Sequence, residues 1–366
     1  MSSTNLPPDT AEAIRAALRK GGQKWIARLY RHEILSARTV RGMQVEIMAS
    51  WNRTVIQPLI RVIAGRLSTF DARGPDVVFD AFPQLRQLEA EIRATVAQGA
   101  DAVRRLTTEK LHELAKAESK WLTENAAKSL KVAIPEPNEA NLNRAIDDRP
   151  FLGEKVEGWF RKVLVAPTGD NTRRFIQTGL QRGLTTDEMV RGLRGTREQN
   201  YRDGIIGGQS LRDVQGLVQS AAAHASAVTR FESFKALGVK QWRWLATLDT
   251  KTCVICGQNE EGSPYETGEG PTFPSHPRCR CSPIPYFGEP IGDRASVDGP
   301  VSAKTDFATW LADQPKAAQD EVLGKARAAA WRDGDLSLRD MLGKDLKPLS
   351  LEELRRLDRI ADDGED

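Results

Sequence analysis

The sequence predicts an α+β protein that is mainly helical: an elongated helical body, a small β-rich module and a short helical C-terminal tail. Three observations predict it. Apolar residues recur every three or four positions through most of residues 9–238, the spacing of one buried helix face. From Trp242 the spacing changes to two, over Trp242, Trp244, Ala246 and Leu248, as in a half-buried strand. All four cysteines of the 366-residue chain then fall between positions 253 and 281. The expected division is an N-terminal helical region over 1–137, a second helical block over 138–238, the strand and cysteine module over 239–290, and a linker with C-terminal helices over 291–366.

In chain order, residues 9–66 read as helical, with Trp25, Ile26, Leu29 and Ile34, then Met43, Ile47, Met48 and Trp51, at near-helical spacing. Asp71 to Pro83 is a break containing Gly74 and Pro75. A long helix starts near Gln84. Leu85, Leu88, Ile92, Val96, Val103, Leu106, Leu114 and Trp121 form one apolar stripe that has to pack along another helix, weakened only by Gly99 and ended by Pro135-Glu-Pro137.

In the second block, Thr185-Thr-Asp-Glu188 reads as a capping box opening a helix over Met189, Val190 and Leu193. Gly179, Gly183, Gly192 and Gly195 lack the spacing of a phosphate-binding loop and read as turn and helix-end glycines. Ser210 reads as the cap of a helix whose stripe is Leu211, Val214, Leu217, Val218, Ala221, Ala225 and Val228, ended by Gly238. Ile291 to Lys304 reads as a linker. Helices are expected at Phe307–Leu311, Gln314–Arg332 and Leu351–Ile360, before an acidic tail, Ala361–Asp366.

Composition bounds the function. Hydrophobic residues make up 40% of the chain, enough for real cores, and no run approaches the roughly 18 apolar residues of a membrane span. The first nine residues lack a basic start and an apolar core, so no signal peptide is expected and the chain is expected to stay in the cytosol of the cell that makes it. Thiols stay reduced there, which favours a metal site over two disulfides; disulfides remain open for a protein that ends up outside the cell. The 53 basic and 50 acidic residues are interleaved, and their net +3 does not support bulk nucleic-acid binding; they read as solvated helix faces.

The cysteines carry the chemistry. Cys253-Val-Ile-Cys256 is a C-x-x-C knuckle, and His276-Pro-Arg-Cys279-Arg-Cys281 offers three further donors across a polar loop. Zinc prefers four tetrahedral sulfur or nitrogen ligands, so Cys253, Cys256, His276, Cys279 and Cys281 are five candidates for about four positions. Arg278 and Arg280 place positive charge beside the thiolates. Such a surplus favours a closed, structural zinc site. Asp249 is expected to hydrogen-bond the knuckle turn, and Trp242 and Trp244 to pack beneath it.

Enzyme readings are poorer, and no catalytic residue or small-molecule substrate is expected. His32-Glu33 and His112-Glu113 lack the second histidine of a metalloprotease helix, and His224 lies near the apolar stripe of its helix, where a packed role is expected. There is no H-x-E with P-C-x-x-C, as a zinc deaminase needs, and no G-x-S-x-G. An HNH-like metal-dependent nuclease is the alternative, although the further histidine and asparagine for a catalytic metal are missing.

Trp244-Leu-Ala-Thr-Leu-Asp249-Thr-Lys-Thr-Cys253-Val-Ile-Cys256, followed by Pro274-Ser-His276-Pro-Arg-Cys279-Arg-Cys281, closely resembles the signature of the phage Mu F-like head morphogenesis proteins. That family is also described as similar to a minor head protein of a Bacillus phage. The helix over Asp213–Phe234, with His224 and Arg230, sits where the family has the helix before this strand. The stretches around Phe307–Leu311, Val322–Arg327 and Leu336–Leu338 resemble its C-terminal part. The resemblance is sharpest between residues 240 and 285, and the N-terminal region matches only in being helical. It implies a minor capsid component of a tailed bacteriophage or prophage that is not an enzyme. Such a protein acts in head assembly near the portal vertex, with portal or major capsid subunits as partners. It is made in the host cytoplasm and then carried in the virion. A DNA-binding packaging accessory stays open as a further alternative.

Overall fold

The computed structural model describes residues 8–357, and it is a mainly helical α+β fold. The acidic tail and the end of the helix expected to reach Ile360 lie outside the described residues, as does most of the N-terminal segment read for a signal peptide. None of the described helices is long and apolar enough to cross a membrane.

The predicted first helix is α1 (Pro8–Trp51), which runs through a π-turn over Asn52–Ile56 into α2 (Gln57–Leu67). After the expected break comes α3 (Pro83–Leu130). Its stripe is buried at Leu85, Leu88, Ile92, Val96, Val103 and Leu114. Gly99 is more than a weak point: a Cβ there would sit 2.3 Å from the Thr54 carbonyl oxygen, so glycine is what lets the two backbones meet. Then follow α4 (Glu139–Asp148), the single turn α5 (Val156–Trp159), α6 (Ala166–Gln181) and α7 (Thr186–Arg194). The capping box of α7 is formed as read: Thr185 Oγ1 accepts from the Glu188 amide at 3.2 Å, and Glu188 accepts from the Thr185 amide at 2.8 Å.

Two readings in this block need correction. Gly183 and Gly195 are helix-end glycines with positive φ, but Gly179 and Gly192 lie inside α6 and α7. A Cβ on either would press on Met189 or Phe175 at 2.8 or 2.4 Å, so close packing selects glycine there. Ser210 is not a cap either. A π-turn over Ile205–Gln209 feeds directly into α8 (Ser210–Leu237), and Ser210 has helical backbone angles. Its hydroxyl donates to the Ile206 carbonyl and accepts from Trp51 Nε1 at 2.9 Å. Gly238 ends α8 with φ +66°, as expected.

Strands β1 (Gln241–Leu245), β2 (Tyr265–Glu266) and β3 (Ser282–Tyr286) form an antiparallel sheet in the order β2-β1-β3, with α9 (Val254–Glu261) between β1 and β2. The stretch read as a linker instead contains a hairpin, β4 (Asp293–Ser296) and β5 (Gly299–Ser302). The tail helices are α10 (Phe307–Ala312), α11 (Lys316–Leu323), α12 (Lys325–Asp333) and α13 (Leu351–Arg356). The single helix expected over Gln314–Arg332 is broken at Gly324, whose φ of +81° no helix accommodates.

By internal contacts the chain forms two compact units. One takes the chain up to Ala37, Ala115–Ala145 and the chain from Ala223 onward; the other takes Arg38–Leu114 and Ile146–Ala222. The cysteine module belongs to the first. Its core runs from Trp25 and Leu29 of α1 and Leu122 of α3 to Trp242, Trp244, Phe307 and Trp310, and includes Cys256, Cys279 and Cys281.

Candidate metal centre

The strand β1 delivers the chain into the knuckle through a turn that Asp249 organises. Its Oδ1 accepts from the Lys251 amide at 3.0 Å and from Arg280 Nη2 at 2.7 Å, and a second contact with Arg280 completes a bidentate pair. This is the turn-holding role read from sequence. It also ties the two ligand segments together, because Arg280 stands between Cys279 and Cys281. Cys253 occupies the N-cap position of α9, and Cys256 follows in its first turn. Gly257 is required next: a Cβ would lie 2.5 Å from the Phe307 ring.

On the other side, Arg278 adopts a left-handed conformation (φ +65°), and the Cys279 amide donates to the His276 carbonyl at 3.3 Å. That turn brings the histidine and cysteine side chains to one side. All five predicted donors converge. Cys253, Cys256 and His276 form one set of mutually close donor atoms, and Cys256, Cys279 and Cys281 form another, each within 4.8 Å. Cys256 Sγ lies 3.1 Å from His276 Nε2 and 3.8 Å from Cys279 Sγ. His276 Nδ1 lies 2.8 Å from the Pro277 carbonyl; donation from Nδ1 fixes the tautomer and frees Nε2 as a donor atom for a cation. The cysteines are all free, with no disulfide.

The electrostatics are those of a cluster that shares protons. The Cys253 thiol is held down at about 4 by the Cys256 thiol beside it and, against burial, by His276. Burial works to lower the imidazole pKa, but Cys253 and Cys279 outweigh it and raise His276 to about 10. Cys279 is likewise pulled down, first by Cys256; Cys256 is pushed up, first by Cys253 beside it, and Cys281 is pushed up by burial. Neighbouring groups with opposed shifts thus crowd one spot, and a cation can replace the protons they share. The cluster can bind a metal ion.

The seat beneath it is aromatic. Trp244 stacks on Phe273 with ring centroids 3.8 Å apart, and Trp242 meets Tyr265 and Phe231, each at 5.0 Å. Both tryptophans are fully buried, the packing role read from sequence. Two ionic groups in the same unit escaped the sequence reading. Glu260, in α9, accepts from Arg294 Nη1 at 2.7 Å and from the Phe307 amide at 2.8 Å, and Arg294 also donates to the Thr305 carbonyl at 2.8 Å. Burial pushes the Glu260 carboxyl up in spite of Arg294. Arg294 lies in the stretch read as a linker, so nothing local marked it.

The second group joins three helices. Glu118 of α3 meets His32 Nε2 of α1 at 2.6 Å and Arg230 Nε of α8 at 2.7 Å, and Arg230 also pairs with Glu33 at 2.5 Å. His32 stacks on Trp121 at 3.7 Å. His32-Glu33 therefore belongs to a buried ionic cluster. His112 pairs with Asp147 at 3.0 Å, and His224 is buried as expected. Compared with protein-family models, curated proteins and solved structures, the chain matches none.

Proposed function

We propose that this chain is a minor capsid protein acting in head morphogenesis of a tailed bacteriophage or prophage, near the portal vertex, and that its Cys/His cluster holds a structural zinc ion. The observation that carries the reading is the cluster itself: a T-C-x-x-C knuckle and an H-P-x-C-R-C segment, in the order of the Mu F-like resemblance, converging in a buried core. A tetrahedral site with zinc–sulfur bonds of about 2.3 Å has sulfur atoms about 3.8 Å apart. Cys256 and Cys279 have that separation, 3.8 Å. Cys256, Cys279 and Cys281 are 1%, 0% and 6% exposed and Cys253 and His276 are half-buried; the three buried thiols favour a closed site over one with a position open to water. Bound there, zinc supplies cross-linking between the two ligand segments of a module with a small core of its own. The same closure speaks against the nuclease alternative, which needs a metal open to water and substrate. The long amphipathic helices suit docking onto portal or capsid subunits.

The test is zinc content together with head incorporation. The purified chain should hold about one zinc, with thiols that react only after chelation. Cys253→Ser should lose the zinc and fail to enter heads assembled with the portal and capsid subunits. A Cys253→Ser chain that folds and enters heads normally would sink the assembly role of the site. Zinc-free protein with four reactive thiols would sink the metal. Divalent-metal-dependent DNA cutting that needs His276 would transfer the site to the nuclease reading.

A further inference from the structure

The two residues that follow Cys281 both reach the buried ionic cluster. The Ser282 hydroxyl donates to Glu33 Oε2 at 2.7 Å, and the Pro283 carbonyl accepts from Arg230 Nη1 at 3.2 Å. Arg230 is 1% exposed and pairs with both Glu33 and Glu118. Further along, the Gln23 amide donates to the carbonyls of Phe287 and Glu289 at 3.1 and 2.7 Å. Strand β3 is therefore held by α1 and α8 from its first residue, and the residue just before it is a candidate ligand. On its other edge it pairs with β1, Leu245 opposite Ser282 and Trp244 opposite Pro283.

We propose that Arg230 and Glu33 are positioning residues for the metal centre, so that metal binding and the ionic cluster of α1, α3 and α8 stabilise each other through Ser282 and Pro283. The inference rests on the metal reading of the cysteine cluster, not on the head-assembly role. Consecutive Cα atoms are about 3.8 Å apart, so Cys281 and Ser282 cannot shift independently. A bound cation fixes ligand atoms to within about 0.2 Å, and the charged hydrogen bonds fix Ser282 and Pro283 at their own lengths. Both constraints act on three consecutive residues. What one stabilises the other must stabilise by the same factor, because linkage is reciprocal. Groups that hold metal ligands in place typically change metal affinity by about 10- to 100-fold.

The experiment measures zinc affinity of the full chain by competition with a chromogenic chelator. Arg230→Met should bind zinc at least about tenfold more weakly with every ligand intact. Arg230→Lys, which keeps the charge facing Glu33 and Glu118, should recover part of that loss. Ser282→Ala and Glu33→Gln should each show a smaller loss, and they carry the test if Arg230→Met does not fold. Leu354→Ala, a core truncation in α13 that removes no hydrogen bond to β3, should bind as the parent does. In the parent chain, chelation should speed amide exchange over residues 25–36, 115–122 and 224–234. Tight zinc in the parent, with the folded variants at parental affinity or Leu354→Ala falling equally, overturns the coupling alone. A parent chain that takes up no zinc overturns the metal reading and the coupling with it.

Discussion

Replacing Glu118 by glutamine keeps its shape and removes its charge from a site where Arg230 and His32 both lean on it. Glu118 is 3% exposed, with Arg230 at 2.7 Å and His32 at 2.6 Å. Burial alone raises a carboxyl pKa; here Arg230 and then His32 outweigh it and hold Glu118 at about 2, against an ordinary 4.5. The folded value is depressed, so its contribution is complete above the ordinary value and is lost as pH falls through the folded one. Two and a half units at about 1.36 kcal/mol each amount to about 3 kcal/mol. Breaking one partner out of a buried ion pair costs roughly 3–5 kcal/mol, a figure of the same size. Urea denaturation of Glu118→Gln and the parent should therefore differ by about 3 kcal/mol near neutrality. The gap should hold to about pH 5 and shrink towards pH 2, as the parent carboxylate takes up its own proton. Acid effects common to both chains, such as protonation of the cysteines, cancel in the difference. A neutral-pH gap below about 1 kcal/mol, or one that does not shrink in acid, would refute the reasoning.

Other perturbations probe separate parts. Cys256 belongs to both donor sets, so Cys256→Ser should abolish tight zinc retention, read as metal per chain after gel filtration. Glu260→Ala leaves Arg294 buried without its partner, and thermal melting should report a loss of roughly 3–5 kcal/mol. A Cβ at Gly207 would lie 2.0 Å from the Arg194 carbonyl oxygen, so Gly207→Ala should cost about 1–3 kcal/mol of stability while zinc content stays unchanged. Thr185→Ala removes the capping box of α7 and should cost about 1 kcal/mol by urea denaturation.

What could be read from the sequence was local. The knuckle, the capping box at Thr185 and the helix stop at Gly238 each declare themselves within a few residues, and the structure has them where the spacing put them. The donors of the cysteine cluster come in two short segments, so their convergence was legible too. The ionic cluster was not, because His32, Glu33, Glu118, Arg230 and Ser282 lie on four separate elements and carry ordinary neighbours. Arg294 was hidden in a Gly/Ser/Asp stretch whose hairpin depends on pairing of β4 with β5. Gly324 failed as a signal because apolar residues continue at helical spacing on both sides of it. At Ser210 an apolar stripe and a capping residue fitted a helix start, but the backbone was already wound by the preceding π-turn.

The division of the chain into two units bears on how such a gene can change. The chain passes between units at 37/38, 114/115, 145/146 and 222/223, and each passage falls inside a helix: α1, α3, α4 and α8 in turn. Neither unit is one stretch of coding sequence. Neither unit can therefore be delivered whole by exchange of one continuous segment, and a junction placed at any of the four passages has to match the two halves of a helix.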